Sequence, residues 1–269
     1  MTRPFRFGVV SPVLTDMASW RDRVRLIADL GYSTLMMPDV PGWQPSPAPT
    51  LAVAATLTDL RVGTWVYASP FREPWQTAWE AHSLTQLTEG RFELGIGTGR
   101  PGIEDQLASY GMPAPSGPVR LAQIRETVTR LRELDGPDTH TPVTMAVLGP
   151  RARALATEVA DTVTVVMAPG QTRKQAASVA HELRAARDLE LALHVSVVGD
   201  GVAAFMASAQ ETDPAALRES DSLAYLPDDP AAAIDLLQSR REELGASYVV
   251  IGADFAQMMA PVVAALAGR

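Results

Sequence analysis

The chain has 269 residues, 46% of them hydrophobic and 20% charged, enough to bury the core of one large domain or two small ones. Its 31 acidic residues outnumber its 23 Lys and Arg residues, and the net charge of -8 without a basic cluster argues against a nucleic-acid partner. The absence of cysteine excludes disulfides and thiolate chemistry, and no apolar run reaches the ~20 residues of a membrane helix, so we expect a cytoplasmic protein with no membrane partner.

Short β-branched runs alternate with longer helical patterns along most of the chain. Ser19 is the expected N-cap of the first helix and Gly31 its stop, and Thr50 precedes the second helix. The predicted strands lie at residues 5–10, 33–38, 61–67, 91–97, 142–148, 161–167, 191–198 and 248–253. The predicted helices lie at residues 19–31, 51–58, 74–90, 119–134, 173–188 and 257–267, with one more opened by Pro150.

Eight strands followed by helices predict the fold class. Repeated strand–helix units without a composition break favour a parallel sheet, and eight such units in about 250 residues match a closed (β/α)8 barrel, the TIM barrel of the α/β class. We expect residues 1–269 to form a single such domain, with insertions over residues 100–118 and 199–230. The second insertion contains no clear strand pattern. A doubly wound open sheet is the alternative.

A glycine cluster follows the fourth predicted strand in the segment RFELGIGTGRPG, residues 91–102. Its G-x-G-x-x-G spacing is found in dinucleotide-binding folds, but such a site needs a helix at once and an acidic residue about 20 positions later. Pro101 interrupts the turn, and the chain about 20 residues on lies inside the predicted helix 119–134. We therefore interpret Gly95, Gly97 and Gly99 as a barrel-strand end that leaves room for a flat ligand. Alternatively, these glycines only ease the strand out of the barrel.

The segment TEGRFELGIGTGRPGIEDQLASYGMP resembles the fourth-strand region of the luciferase-like monooxygenase superfamily. The segments FRFGVV, LIADLGYSTLMMPDV and PVTMAVLGPRARALATEVADTVTVV follow the family order, so that the resemblance covers most of residues 5–167. The chain is most similar to the branch of oxidoreductases that depend on coenzyme F420, and members that use FMN share the same scaffold. The resemblance also implies a homodimer formed through the second and third helices.

This resemblance implies a redox enzyme whose cofactor ring lies across the C-terminal mouth of the barrel. The implied reaction is hydride transfer between coenzyme F420 and a small organic substrate with a carbonyl, an imine or an activated alkene. An FMN-dependent monooxygenase is one alternative. A non-catalytic flavin-binding or accessory barrel is the other.

The first group of implied site residues follows the second and third strands. Asp39 is the catalytic candidate, but Val40 stands where the family often has a histidine, and Asp39 alternatively caps a loop. The family also implies a non-proline cis peptide between Trp65 and Val66. The cofactor candidates here are Trp65, Val66, Tyr67 and Ala68, and the substrate candidates are Trp43 and Ser69. Trp65 and Tyr67 alternatively fill the barrel.

The second group follows the fourth and fifth strands. Thr98 and Arg100 are catalytic candidates, and Arg100 alternatively lies exposed on the rim. The helix opened by Pro150 presents N–H groups and its positive end to the mouth, as phosphate binding requires. The cofactor candidates in this group are Gly97, Thr98, Leu148, Gly149, Pro150 and Arg151. The family's GGxGPR motif is thinned here, because Ala146, Val147 and Leu148 replace its first positions.

The four histidines do not indicate a metal site. His194 lies in the run LALHVSV and points into the barrel by alternation, where we interpret it as a satisfied core histidine. His82, His140 and His181 have no ligand-like spacing, so no metal is predicted. The chain also lacks the G-x-S-x-G and P-loop motifs of hydrolases and nucleotidases.

Overall fold

The computed structural model describes residues 3–165, 173–203, 205–207 and 213–269. The strands are Arg6–Val10 (β1), Thr34–Met37 (β2), Arg61–Thr64 (β3), Tyr67–Ala68 (β4), Phe92–Gly97 (β5), Val143–Val147 (β6), Thr162–Val165 (β7), Glu190–Val195 (β8), Val197–Val198 (β9), Gly201–Val202 (β10), Tyr225–Leu226 (β11) and Ala246–Gly252 (β12). The α-helices are Met17–Asp29 (α1), Pro47–Leu57 (α2), Pro74–Leu87 (α3), Ile103–Ser109 (α4), Gly117–Asp135 (α5), Pro150–Val159 (α6), Arg173–Ala186 (α7), Pro214–Glu219 (α8), Pro230–Leu244 (α9) and Ala260–Leu266 (α10).

Parallel strands close into a barrel. The pairing order is β3-β2-β1-β12-β8-β7-β6-β5-β4, and an additional pairing of β3 with β5 completes the ring. Because β3 and β4 are two parts of one bent strand, the barrel has eight strands around its axis. The predicted (β/α)8 barrel is therefore confirmed, and the doubly wound alternative is wrong. No helix in the described part of the chain is both long and apolar enough to cross a membrane.

Along each barrel strand, side chains point alternately to the core beneath the helices and to the barrel interior. Phe7 and Val9 of β1 belong to the large apolar cluster beneath the helices, whereas Val10 packs with Tyr248 inside the barrel. The strands thus present every second side chain to the axis. This alternation determines which side chains can reach the C-terminal mouth of the barrel.

An ion cluster closes the N-terminal end of the barrel. The buried carboxylate of Glu93 accepts from Arg6 Nη1 at 2.7 Å and from Arg61 Nε at 2.5 Å. Glu190 accepts two further bonds from Arg6 Nε and one from Nη2, and the Arg6 guanidinium lies 3.5 Å from the centre of the Tyr248 ring. Each charge is paired, as burial requires. This end of the barrel is a structural plug.

The cap of α1 differs from the prediction. Asp16, not Ser19, is the N-cap, because its Oδ1 accepts the N–H groups of Ala18 and Ser19 at 2.9 Å each. Ser19 lies inside the helix and donates its hydroxyl to Asp16 Oδ2. The predicted stop at Gly31 is confirmed by its φ of +83°, which favours glycine.

Removing the N-cap is expected to weaken α1. Bonds from the Ser19 backbone and hydroxyl lower the pKa of Asp16, so its contribution to stability is present above the carboxyl's unfolded pKa and is lost as the pH falls through the lowered value. We expect Asp16→Ala to lower the thermal midpoint at pH 7 more than Ser19→Ala does. At a pH below both the folded and the unfolded pKa of Asp16, the thermal midpoints of Asp16→Ala and the wild type should no longer differ by the contribution of the charged cap. Equal midpoints for the two variants at pH 7 would contradict the assignment.

Other boundaries shift by a few residues for identifiable reasons. Helix α2 begins at Pro47 after Ser46, four residues before the predicted start at Leu51, because proline suits the first helical turn. The predicted third strand, 61–67, breaks after Thr64, and the expected cis peptide between Trp65 and Val66 is confirmed. Residues 166–167 of the predicted sixth strand lie outside the described residues.

A small second sheet is formed between the last two barrel strands of the chain, β8 and β12. Strand β9 pairs antiparallel with β10 and parallel with β11, so the expectation of no strand within 199–230 is wrong. Part of that predicted insertion, residues 204 and 208–212, lies outside the described residues. Arg240 of α9 is fully buried and donates to the carbonyl groups of Ser222, Leu223 and Tyr225, which anchors the approach to β11. Burial lowers the pKa of Arg240 to about 10.

Candidate active site at the barrel mouth

Trp65 and His194 lie side by side across the C-terminal mouth. The indole Nε1 donates to His194 Nδ1 at 2.9 Å. The ring planes differ by only 3° while the ring centres are 6.1 Å apart. A short in-line bond between nearly coplanar rings at this separation means that the rings meet edge to edge, not face to face. The two residues form one flat, hydrogen-bonded plate, which we call the Trp65–His194 plate.

The plate defines the tautomer of His194. An indole N–H is only a donor, so Nδ1 of His194 must accept and carries no proton. In the neutral ring the proton is then on Nε2, which lies 3.1 Å from the carbonyl oxygen of Met206 and donates to it. Both ring nitrogens are engaged, which agrees with the interpretation of a satisfied histidine.

Apolar side chains support the plate from below and cover part of the mouth. Trp65 packs edge-on against Tyr248, together with Val10 and Met36 inside the barrel. On the other side, a Cβ added to Gly252 would lie 2.6 Å from Ala203 Cβ, so the segment after β10 packs directly on the end of β12. Phe205 and Met206 of this segment pack against the same cluster.

Asp39 lies at the end of β2, as predicted, but its carboxylate accepts three hydrogen bonds from protein groups. Arg72 Nε donates to Oδ2 at 3.0 Å and Arg72 Nη2 to Oδ1 at 2.9 Å, and the Ala68 N–H donates to Oδ2 at 3.1 Å. The side chain is only 3% exposed. This geometry favours the loop-capping alternative over a catalytic Asp39.

Tyr67 and Ser69 turn away from the mouth. Tyr67 is fully buried, donates its hydroxyl to Glu80 Oε1 of α3 at 2.7 Å, and lies under the Arg72 guanidinium. Burial raises the pKa of Tyr67 well above its usual range, so the phenol stays protonated and donates. Ser69 is buried and donates to the Arg120 carbonyl. Neither hydroxyl faces a ligand in this arrangement.

The glycines in and just after β5 make room for the protein's own atoms. A Cβ at Gly95 would lie 1.9 Å from the Thr64 carbonyl oxygen, and one at Gly99 would lie 2.2 Å from Ile103 Cδ1. At Gly97 the nearest atom is Val66 Cγ2, at 3.1 Å. The interpretation of Gly95 and Gly99 as space for a flat ligand is therefore wrong, because the bend between β3 and β4 fills the space at Gly95 and Ile103 of α4 fills the space at Gly99.

The tips of β5 and β6 remain accessible. Val66, Thr98 and Ala146 are partly exposed there, whereas Leu148, Gly149, Pro150 and Arg151 are exposed at the start of α6. A Cβ added to Gly149, the N-cap of α6, would meet no atom within 4 Å. The first N–H groups of a helix lack intrahelical acceptors, so this end presents donors to open space. These candidates therefore lie near the tips of the neighbouring strands β5 and β6 and at the helix that follows β6.

The remaining candidates are placed on the rim. Arg100 is exposed beyond β5, and the Thr98 carbonyl accepts from Arg120 at 3.3 Å. Trp43 is 51% exposed in the loop between β2 and α2. Among the described residues, no group of three or more His, Cys, Asp or Glu side chains is arranged to hold a metal ion. Sequence reasoning missed Arg72 and Glu80, and no local pattern distinguishes these two from other surface charges.

Comparison with known proteins places this geometry in a family. The family described as "luciferase-like monooxygenase" matches residues 4–266. The chain is 32% identical over 129 residues to 4-hydroxyprotoasukamycin monooxygenase of Streptomyces nodosus subsp. asukaensis, a match that covers 46% of this chain and 33% of that protein. It is 31% identical over 143 residues to the F420-dependent glucose-6-phosphate dehydrogenase of Beutenbergia cavernae, which covers 45% of this chain and 42% of that protein.

A solved structure extends the likeness of fold to nearly the whole chain. The coenzyme F420 dependent tetrahydromethanopterin reductase from Methanopyrus kandleri superposes with a TM-score of 0.73 at 16% identity, covering 97% of each chain. The matched parts of the two curated relatives span less than half of their length. The profile match over residues 4–266, by contrast, spans nearly all of this chain. The chain therefore belongs to the luciferase-like monooxygenase family.

Proposed function

We propose that this protein is an oxidoreductase that transfers a hydride between coenzyme F420 and a small organic substrate with a carbonyl, an imine or an activated alkene. The similarity to an F420-dependent dehydrogenase over 143 residues supports this choice of cofactor. The observation that carries the proposal is the barrel mouth, where the Trp65–His194 plate lies and where α6 begins with an open N-terminus after β6. Chemistry in such barrels takes place at this end.

The start of α6 fits the phosphate end of a flavin or deazaflavin. Gly149 leaves open space beside the first N–H groups, and the exposed Arg151 adds a cation that bonds phosphate oxygens. Next to it, the partly exposed Val66, Thr98 and Ala146 offer a surface of small side chains to a ring. The fit is confined to this side of the mouth, because Asp39, Tyr67 and Ser69 are bonded elsewhere.

The residues of the chain bind and orient; the cofactor supplies the redox chemistry. When bound, a deazaflavin or flavin ring gives or accepts the hydride. The α6 N-terminus and Arg151 would hold the anionic tail, and the exposed Arg100 would attract an anionic substrate or the anionic extension of the cofactor. The Trp65–His194 plate closes the barrel beneath the site and excludes water from below. His194 keeps its proton at Nε2, on the Met206 carbonyl.

Two other functions remain alternatives. The similarity to 4-hydroxyprotoasukamycin monooxygenase favours a monooxygenase. In that alternative FMN would be the cofactor, and Trp43 and the loop after Arg100 would contact the substrate. The engagement of Asp39 by Arg72, together with Val40 in place of a histidine, favours a barrel that binds a ligand without catalysis.

A titration separates these functions. Purified protein is titrated with coenzyme F420 and, separately, with FMN, while cofactor absorbance and fluorescence are recorded. We expect saturable binding of F420 and weaker binding of FMN. Binding of FMN alone supports the monooxygenase. Binding of neither cofactor contradicts both redox functions.

We further propose that the protein forms a homodimer through α2 and α3. On α3, Trp75, Trp79 and Leu87 are 54%, 61% and 74% exposed, and the two indole rings lie nearly parallel with centres 6.4 Å apart. Val53 adds an exposed apolar side chain on the neighbouring α2. An apolar stripe of this kind marks an association surface.

Charge placed on this stripe is expected to break the dimer. We expect Trp79→Glu to convert a dimer into a monomer in sedimentation velocity, while Leu134→Glu, at an exposed apolar position on α5, leaves the dimer intact. A wild-type protein that sediments as a monomer at every concentration contradicts this proposal.

A further inference from the structure

We propose that Arg72 and Asp39 are positioning residues, which hold the bend between β3 and β4 so that Trp65 and Val66 stand correctly at the mouth. This inference rests on the proposed function for its meaning in ligand binding. Its structural part, the control of Trp65 by Arg72, stands independently of which cofactor binds.

The Arg72 guanidinium connects three elements. Its Nε and Nη2 form a forked pair of bonds with the Asp39 carboxylate at the end of β2, at 3.0 and 2.9 Å. Its Nη1 lies 3.3 Å from Glu80 Oε1 on α3, and its Cζ lies 3.5 Å from the centre of the Tyr67 ring on β4. Only a planar cation with several donors makes these contacts together.

Asp39 links Arg72 to the backbone of β4. The same Oδ2 that binds Arg72 accepts the Ala68 N–H at 3.1 Å. Ala68 lies on the short strand β4, only two residues after Val66. A neutral or shortened side chain at position 39 leaves this N–H with a weaker acceptor or none, and leaves Arg72 without its main partner.

The bend itself is packed on both sides, so a shift of Ala68 is transmitted to the site. Val66 contacts Gly95 and Gly97, at 3.1 Å from the Cβ position of each. Trp65 is tied to His194 by the 2.9 Å bond of the plate. Because both contacts are close, displacement of the bend changes the geometry of the plate and of the partly exposed Val66 surface together.

This role also explains how an acidic residue at the mouth can be buried without acting as a base. Three of the roughly four acceptor positions of the Asp39 carboxylate are occupied by Arg72 and Ala68. An arginine that is always protonated neutralises the charge. Asp39 therefore acts through the backbone of β4.

The test compares Arg72→Met, Arg72→Lys and Asp39→Asn with Arg25→Met. Arg25 forms an exposed, single-bonded pair with Asp22 at 2.9 Å, so that it is also an arginine paired with an aspartate, but outside the mouth. One readout is the indole N–H resonance of Trp65 in ¹⁵N-labelled protein, assigned among the five tryptophans by its loss in Trp65→Phe. The other is the Kd for F420 and for FMN. Circular dichroism verifies that each variant is folded.

We expect Arg72→Met and Asp39→Asn to shift the Trp65 indole resonance and to raise the Kd on the order of tenfold. Arg72→Lys, which keeps the charge but not the fork, should give an intermediate effect, and Arg25→Met none. A Trp65 resonance that is unmoved in folded Arg72→Met or Arg72→Lys overturns the proposal, as does a moved resonance with an unchanged Kd. If the wild type binds neither cofactor, the proposed function fails, and the resonance alone decides whether Arg72 positions Trp65.

Discussion

Replacing Gly95 with alanine is expected to destabilise the protein by more than about 3 kcal/mol, because the new methyl group has no place to go. Its Cβ would lie 1.9 Å from the Thr64 carbonyl oxygen and 3.1 Å from Val66 Cγ1. The carbonyl belongs to a neighbouring barrel strand and cannot rotate away as a side chain can. Thr64 also exchanges two bonds with Gly95 through its hydroxyl, so the two strands cannot separate without further loss.

Urea denaturation followed by circular dichroism measures this effect. Gly149→Ala is the matched control, since an added Cβ there meets nothing within 4 Å and the φ of -87° is ordinary for alanine. We expect the control to unfold within about 1 kcal/mol of the wild type. Similar midpoints for Gly95→Ala and Gly149→Ala would show that β5 does not run against the bend as described.

Glu93→Gln is the second substitution with a large expected effect. The carboxylate is 5% exposed and pairs with both Arg6 and Arg61 at the closed end of the barrel. An amide of the same shape leaves one of these two arginines without a negatively charged partner in a buried place. Breaking buried pairs in this way costs about 3 to 5 kcal/mol. We expect a loss of about 3 kcal/mol in the free energy of unfolding, because Glu190 continues to pair with Arg6.

Glu126→Gln provides the control for Glu93→Gln. Glu126 is 55% exposed and lies 3.9 Å from Arg130 on the same helix, so its removal should change stability by less than about 0.5 kcal/mol. Equal urea midpoints for the two variants would mean that the Arg6–Glu93 pair is solvated and contributes as little as a surface pair.

Local pattern was sufficient for the barrel but not for its helix ends. Every barrel strand is buried, and the strands alternate with helices along the whole chain. This repeated pattern is therefore visible in the sequence. Helix starts are decided by competition between nearby caps. Asp16 and Ser19 both suit an N-cap, and only the structure reveals that the Asp16 carboxylate accepts the N–H groups of Ala18 and Ser19.

The site was predictable only where it follows from a single segment. The open start of α6 follows from Gly149 and Pro150 alone, and alternation places His194 on the inner face of β8. Trp65, the partner of His194, lies 129 positions away in the bend between β3 and β4, and Asp39 and Arg72 are 33 positions apart. Such pairings are created by closure of the barrel, and no spacing along the chain indicates them.

The glycine-rich end of β5 illustrates the same limit. Glycine indicates close approach of another group, but the sequence does not say whether that group is a ligand or the protein itself. At Gly95 the group is the Thr64 carbonyl, and at Gly97 it is Val66. The surface that we propose for a ring, toward β6 and α6, is accordingly narrower than the glycines suggested.

The most direct test of the proposed site is a crystal structure of the protein soaked with coenzyme F420. We expect density for the phosphate within hydrogen-bond distance of the N–H groups that follow Pro150, with the ring lying beside Val66 and Ala146. Density for the phosphate elsewhere, or a ring bound away from the barrel mouth, would contradict it.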